Sequence, residues 1–463
     1  MSNAQILTAA QMRDAEQALF DAGTSVFELM KIAAGGAAEW VRRVAAERSV
    51  TVLCGAGNNG GDGYVIAHNL REAGNAVTVI APIEPKTDAA RQARALWNGE
   101  VLTSGGKAAG GVLVDSLFGS GLTRPLSGEH ALLLRDLAAR HHLTIATDVP
   151  SGVASDTGAL LNERLPRFDL TLALGAWKFA HWMTPGCSIM GSLRLVPIGI
   201  APVKGAARLI EKPRLSAPAV DSHKYRRGLA CIVSGEMPGA TMLAAEAAMR
   251  GGAGYVKLLR EGGDRRADPA LVVEGQPLAK GLSDDRIAAV LVGPGLGRSD
   301  QATQRLRIAL DSGRPAVIDA DALIALRPDM LGNRSDILAT PHDGELETLC
   351  RSFGVIAESR IDRARALAKT SGMVIAAKGP TTIIAAPDGQ LAIAPPASAW
   401  LSVAGSGDVL AGIAVSRMAN GRSPFEAACE AVWLHGEAAR QCGAAFTPIE
   451  LARAVPPAIE ACL

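Results

Sequence analysis

Ser49-Val50-Thr51-Val52-Leu53-Cys54 runs straight into Gly55-Ala56-Gly57-Asn58-Asn59-Gly60-Gly61-Asp62-Gly63. This is a short apolar run of strand character delivered into a glycine-rich turn, with a helix expected from Tyr64 to Ala73. Working outward, apolar runs at Ala76 to Ala81, Gly111 to Leu117, Leu143 to Val149 and Leu170 to Leu174 alternate with helical segments, and residues 8 to 47 ahead of them are helix-forming. Such alternation predicts a doubly wound α/β domain around a parallel sheet. The stretch 201–222 carries Pro202, Pro213 and Pro218 and no periodicity, so it reads as a connection. Beyond it the alternation restarts, with strands expected at Leu229 to Val233, Ala288 to Val292, Ala316 to Asp319 and Met373 to Ala377, and a helix at Ala240 to Met249. Two doubly wound α/β domains in series are expected, over 1–205 and 223–463, joined by 206–222.

Bulk properties narrow the function. A chain of 463 residues exceeds what one ordinary core serves, and 48% hydrophobic with 20% charged residues is a globular composition. The formal net charge of +1 offers no global field for nucleic acid or an anionic membrane, so any anion must be held by a local site. Seven scattered cysteines without a CxxC pair argue against a disulfide framework or a zinc site. Charges at Arg13, Asp14 and Glu16 fall where a signal peptide needs an apolar core, and no stretch reaches membrane-span length. The expectation is a soluble cytoplasmic enzyme with small-molecule partners, a homo-oligomer by default.

Glycines at a strand-to-helix junction let backbone amides approach an anion, although the same turn also serves as a plain connection. Two further strand ends carry polar clusters, Asp115-Ser116-Leu117-Phe118-Gly119-Ser120-Gly121-Leu122 and Asp148-Val149-Pro150-Ser151-Gly152. Parallel strand tips converge on one crevice, where Asn59, Asp115 and Ser151 could offer hard oxygen ligands to a cation. Asp115 or Ser151 taken singly reads as a helix cap.

With Asp156-Thr157-Gly158, Lys178 and Pro185-Gly186, these motifs resemble the NAD(P)H-hydrate epimerase domain, a Rossmann-like fold, over about residues 1 to 205. The resemblance implies a potassium ion (K+) at Asn59, Asp115 and Ser151. It implies substrate contacts at Asn58, Asn59, Gly60, Gly61 and Asp62 and at Gly119, Ser120, Gly121, Leu122, Thr123, Arg124 and Pro125, with Asp148 as the candidate for proton transfer. The implied reaction interconverts the two C6 epimers of the hydrated nicotinamide ring. One departure is Lys31, where the family usually has an acidic residue after Leu29-Met30.

In the second half, Gly405-Ser406-Gly407-Asp408 heads an apolar helical run to about Met418. A small-residue turn at a helix start aims N–H groups at one point and can hold the charge that grows on a transferring phosphoryl group. Asp408 beside it could accept the proton of an attacking hydroxyl, or could merely cap the helix. Lys378-Gly379-Pro380-Thr381-Thr382 after a buried strand suits a phosphate-gripping loop, against the plainer reading of a surface lysine in a hairpin. Thr340-Pro341-His342-Asp343-Gly344-Glu345 sets a ring nitrogen and two carboxylates close together, which suits substrate or magnesium-water binding, though a lone histidine is more often structural. Gly293-Pro294-Gly295-Leu296-Gly297 permits close backbone approach.

This set resembles the ribokinase-like superfamily, and with His223-Lys224, Arg227-Gly228, Gly239-Ala240 and Arg250-Gly251-Gly252-Ala253-Gly254 it resembles the ADP- or ATP-dependent NAD(P)H-hydrate dehydratases, over about residues 223 to 463. The resemblance implies substrate contacts at Gly295, His342 and Asp408 and nucleotide contacts along Lys378 to Thr382 and at Gly405, Ser406 and Gly407. Ser406 stands where the family commonly has Thr, and keeps the hydroxyl. Together the two resemblances imply repair of NADHX and NADPHX with ADP or ATP and magnesium (Mg2+), through a phosphorylated C6 hydroxyl. The alternative is a small-alcohol kinase fused to a non-catalytic binding domain; the presence of Asn59, Asp115 and Asp148 weighs against it.

Overall fold

The computed structural model describes residues 5–261 and 270–463. By contact the chain divides into two compact units, Met1–Arg208 and Leu209–Leu463.

The first unit opens with β1 (Gln5–Leu7), α1 (Ala9–Asp21) and α2 (Val26–Ala45). Both helices begin at capping boxes, Thr8 with Gln11 and Ser25 with Glu28, in which hydroxyl and side-chain carbonyl exchange bonds with the first-turn amides. Then follow β2 (Val50–Cys54), α3 (Asn58–Glu72), β3 (Val77–Ile80), α4 (Asp88–Leu96), β4 (Val101–Leu102), β5 (Gly110–Ser116), α5 (Gly128–Arg140), β6 (His141–Thr147), β7 (Leu170–Leu174), β8 (Trp177–Lys178), β9 (Ser192–Val196) and β10 (Ala207–Leu209). Seven strands form a parallel sheet in the order β4-β3-β2-β5-β6-β7-β9. Every residue of β2 and β7 is buried, as expected of strands covered by helices on both faces. The chain leaves β2 towards β3 on one side and returns to β5 on the other, so a crevice opens between β2 and β5.

Two expectations change. The glycine-rich stretch is not a loop, because α3 starts at Asn58 instead of Tyr64. Its glycines serve close packing: a Cβ on Gly60 would overlap the backbone of Gly55, and one on Gly63 would press on Cys54 and Ser116. The second change lies in the expected connection, where Ala207 and Arg208 pair antiparallel with Ile6 and Gln5, turning its start into a strand.

The second unit comprises β11 (Leu229–Val233), α6 (Pro238–Arg250), β12 (Tyr255–Leu259), β13 (Val272–Glu274), α7 (Leu278–Leu282), β14 (Ile287–Val292), α8 (Asp300–Asp311), β15 (Ala316–Ile318), α9 (Asp321–Ala325), β16 (Ile337–Ala339), α10 (Asp343–Ser352), α11 (Arg360–Ser371), β17 (Val374–Ala377), β18 (Ile383–Ala385), β19 (Leu391–Ile393), α12 (Ser406–Ala419), α13 (Pro424–Cys442), α14 (Pro448–Arg453) and α15 (Val455–Glu460). Its strands run β13-β12-β11-β14-β15-β16-β17-β18-β19, parallel as far as β17 and antiparallel after it. Helix α12 is buried along its whole length from Val409 to Ala419, which its nearly continuous apolar sequence requires. All seven cysteines are free thiols, and among the described residues no helix is long and apolar enough to cross a membrane.

Candidate functional site

The crevice of the first unit is a cavity of about 690 Å3. Helix α3 contributes Asn58, Asn59 and Asp62, the loop after β5 contributes Gly119 through Arg124, the end of β6 contributes Asp148, and α1 and β8 add Glu16 and Lys178. Gly60, Gly61 and Pro125, expected as substrate contacts, do not line it. The two glycines are taken up by packing, Gly61 against Met30 and Ala90, and Pro125 is exposed beyond the loop.

Asp148 is held from three sides. Lys178 Nζ lies 2.5 Å from Oδ1 and 2.6 Å from the Leu174 carbonyl, the Ser120 N–H donates to Oδ2 at 3.0 Å, and His181 Nε2 donates to the Asp148 carbonyl at 2.7 Å. The His181 tautomer follows from its other nitrogen, since Nδ1 accepts from the Lys178 N–H at 2.9 Å. These bonds hold Asp148 at φ +64, the left-handed region that a non-glycine residue enters only under constraint.

Burial alone would raise the Asp148 carboxyl. The Lys178 ammonium, aided by the Ser120 N–H, overcomes that and leaves it below the ordinary value, an anion. Asp62 goes the other way: burial first, then the charges of Asp148 and Glu16, push it well above the usual carboxylate range. Burial also raises Glu16, against the pull of Lys178. One cavity thus holds a carboxylate held down by an ammonium and a second carboxyl pushed the opposite way, the divergence that lets two like groups act as base and acid.

Beneath the cavity Asp115 is buried, accepting from Leu117 N, Ser151 N and Ser151 Oγ at 3.1, 2.9 and 2.7 Å. It caps no helix. Burial raises it even so, in spite of the three donors, so a positive charge beside it would be favourable. The Asn59 side-chain amide is buried with no protein partner on either atom. An orphaned buried amide, in a unit whose strand ends also carry the Ser151 hydroxyl and the Asp115 carboxylate, fits an oxygen-ligated cation of low charge. Among the described residues no three of His, Cys, Asp and Glu come together as a metal-ligating group.

In the second unit the chemistry gathers at the carboxyl ends of β15, β16 and β17 and the start of α12. Gly405 caps α12 at φ +96, which places Asp408 at the third helical position with no capping bond of its own. The cap reading of Asp408 therefore falls. Burial first, then the Asp319 charge against the pull of Lys378, pushes the Asp408 carboxyl up to about 7. Lys378 is no surface lysine: its Nζ is 2.6 Å from Asp319 Oδ1, and a Cβ on Gly407 would sit 3.4 Å from it. Thr340 Oγ1 donates to the same Asp319 oxygen at 2.7 Å. The hairpin reading is right for the backbone, since β17 and β18 pair antiparallel around Lys378–Thr382, with Gly379 and Pro380 exposed at the tip.

The other expected contacts are partly committed within the protein. His342 caps α10, its Nδ1 accepting from Gly344 N at 3.1 Å and Glu345 N at 3.3 Å, and Asp343 is drawn 2.6 Å from Arg360 Nε. Of the ring-and-two-carboxylate cluster, Asp343 is thus drawn away, while His342 Nε2 stays 3.4 Å from Glu345 Oε1 and Glu345 lies 4.0 Å from Lys378 Nζ. Gly295, at φ +63, passes close to Met237, whose N–H bonds its carbonyl at 2.9 Å. The Ser406 hydroxyl donates to the Leu401 carbonyl at 2.7 Å, while His435 Nε2 donates to the Ser406 carbonyl at 2.9 Å. Thr381 and Thr382 carbonyls are bonded by Arg360 Nη1 and Ala394 N at 2.6 and 2.9 Å. Sequence reasoning missed Glu16, His181, Asp319, Arg360 and His435; Asp319 alone carried a signal, as an acid closing a buried apolar run.

Comparison with known proteins follows the same division. A family model described as NAD(P)H-hydrate dehydratase matches residues 230–456, and one described as YjeF-related protein N-terminus matches residues 26–180. The bifunctional NAD(P)H-hydrate repair enzyme Nnr of Salinibacter ruber is 34% identical over 96% of this chain and 93% of its own. The enzyme of that name from Escherichia coli is 32% identical over 92% of this chain and 87% of its own. The crystal structure of a ribokinase-like superfamily protein from Enterococcus faecalis V583 aligns with TM-score 0.50 at 21% identity, covering 57% of this chain and 98% of that one, a likeness of fold.

Proposed function

The chain belongs to the family of bifunctional NAD(P)H-hydrate repair enzymes, and from that premise we propose how its two sites divide the work. The first unit epimerises the hydrated nicotinamide ring at C6, and the second dehydrates one epimer to NAD(P)H at the expense of ADP or ATP. The observation that carries the second half is Asp408, pushed up to about 7 at the start of α12 beside the half-buried ammonium of Lys378.

Hydroxide is a poor leaving group. As the C6 hydroxyl oxygen bonds to the terminal phosphorus, Asp408 takes its proton and the bond to the nucleotide breaks. The ring nitrogen's lone pair then expels phosphate from C6, and loss of a proton from C5 forms the C5–C6 double bond. Lys378 and the amides of the α12 start stabilise the negative charge on the transferring group. Asp319 and Glu345, which flank Lys378, are oxygen donors that would hold a magnesium ion through water, and the ion would offset the charge of the nucleotide phosphates.

In the first unit Asp62, whose carboxyl burial and its like-charged neighbours push up, gives a proton to the departing C6 hydroxyl while the ring nitrogen forms a double bond to carbon, and Asp148, held down by Lys178, draws a proton from the water that adds back. Asn59, Asp115 and Ser151 would hold potassium, which supplies a counter-charge at the cavity floor. Exchanging potassium for tetramethylammonium should slow epimerisation at least several-fold and leave dehydration unchanged; equal rates in the two salts would remove the ion from the site. A cytoplasmic setting suits seven free thiols and the coenzyme pool repaired.

The direct test mixes the protein with hydrated NADH, ADP or ATP and magnesium, and follows the dihydronicotinamide absorbance together with free phosphate. A product that keeps the phosphate would point to an alcohol kinase instead. A carboxyl near 7 must be anionic to accept a proton, and its anionic share falls about tenfold per pH unit below that value. Dehydration kcat/KM should therefore climb with pH up to about 7 and level off above; a flat profile from pH 5 to 8 would exclude Asp408 as the base.

A further inference from the structure

Beside the cavity of about 690 Å3 lies an open cleft of about 450 Å3 between the starts of α2 and α4. We propose that this cleft binds the adenosine end of the dinucleotide substrate, while the larger cavity takes the hydrated nicotinamide end. The proposal rests on the epimerase reading of the first unit and extends it to substrate recognition.

Three observations support it. The two spaces share a wall made of Asn58 and Thr87, whose side chains are bonded, Thr87 Oγ1 to Asn58 Oδ1 at 2.7 Å. The substrate has the same construction, two nucleosides joined by a pyrophosphate, and at the join stands the N-terminus of α3. Its cap residue is Gly57, which has no side chain to occupy the first-turn amides, and the first intrahelical bond is that of Gly61 N to Gly57 O. The amides of Asn58 and Asn59, both in the lining, are thereby left for a phosphate bridging the two compartments.

The linings differ as the two ends of the substrate do. Glu16, Asp62, Asp148 and Lys178, the proton-handling groups, all lie in the larger cavity. The cleft presents Val26 and Phe27 from the first turn of α2 and Ala89 from α4, with the Gln92 amide on the same wall. An aromatic and aliphatic surface with the Gln92 and Asn58 amides and the Asp88 carboxylate around it suits a flat base that carries both donor and acceptor edges. It offers nothing to the chemistry of C6.

The experiment compares hydrated NADH with hydrated reduced nicotinamide mononucleotide, which lacks the adenosine half, as epimerisation substrates for the full chain. Phe27→Ala and Gln92→Ala should each raise KM for the dinucleotide, about tenfold for Phe27→Ala, with kcat nearly constant and with KM for the mononucleotide unchanged. Undiminished turnover of the mononucleotide by the same variants reports that the first unit is folded. If both substrates lose equally, Phe27 acts through the fold of α2 and the cleft is not the subsite; if neither changes, or if the wild-type protein shows one KM for both substrates, the adenosine end lies elsewhere. Failure of the wild-type protein to epimerise either hydrate would instead overturn the epimerase reading itself.

Discussion

Asp408→Asn should lower nucleotide-dependent dehydration about a thousandfold while epimerisation proceeds at the wild-type rate. The amide keeps the shape of the side chain and loses only the ability to take a proton, and general-base catalysis contributes about 10^2- to 10^4-fold. Removing a half-buried acid held up at about 7 beside Asp319 also relieves like-charge repulsion, so the variant should fold at least as stably as the parent. Single-turnover measurements with bound nucleotide separate the chemical step from binding. Retention of more than a tenth of the dehydration rate would show that the proton goes to another group.

Lys178→Met should strike the first unit hardest. It leaves Asp148 buried without its counter-charge, and breaking one side of a buried ion pair costs about 3–5 kcal/mol. Epimerisation should disappear with it, because Asp148 would take up a proton and cease to be a base. The sign with pH is defined: a carboxyl held below its unfolded value stabilises the fold above that value, and the contribution is lost as pH falls through the folded value. In Lys178→Met the acid-side loss should therefore be blunted. Adding Asp148→Asn should restore much of the stability without restoring activity. Thermal unfolding of the single and double variants checks both statements, and an unchanged midpoint for Lys178→Met would mean the pair is solvated.

The two sheets were legible because parallel strands covered on both faces must be mostly apolar, and Leu229–Val233 is wholly so while Val50–Cys54 and Leu170–Leu174 each admit a single threonine. The strand tips, and with them Asn59, Asp115 and Asp148, follow from that pattern, whereas Asp408 is read from the small-residue turn that opens α12. The start of α3 was not legible: glycines that allow close packing and glycines that allow a turn look alike until the neighbouring backbone is in place. Nor was the fate of His342, because Thr-Pro-His-Asp-Gly-Glu says nothing about which nitrogen meets an amide and which carboxylate meets Arg360. His181 and Glu16 lie 33 and 132 residues from Asp148, a long-range convergence that one sequence does not encode locally.

The guanidinium of Arg360 ties the carbonyls of Ala377, Lys378 and Thr381 and the carboxylate of Asp343 into one knot. The loop that we propose meets the nucleotide is therefore stiffened in advance, and an arriving phosphate chain would spend little of its affinity on ordering it. A lysine in that position, with a single rotating ammonium, would leave the nucleotide to do the ordering itself.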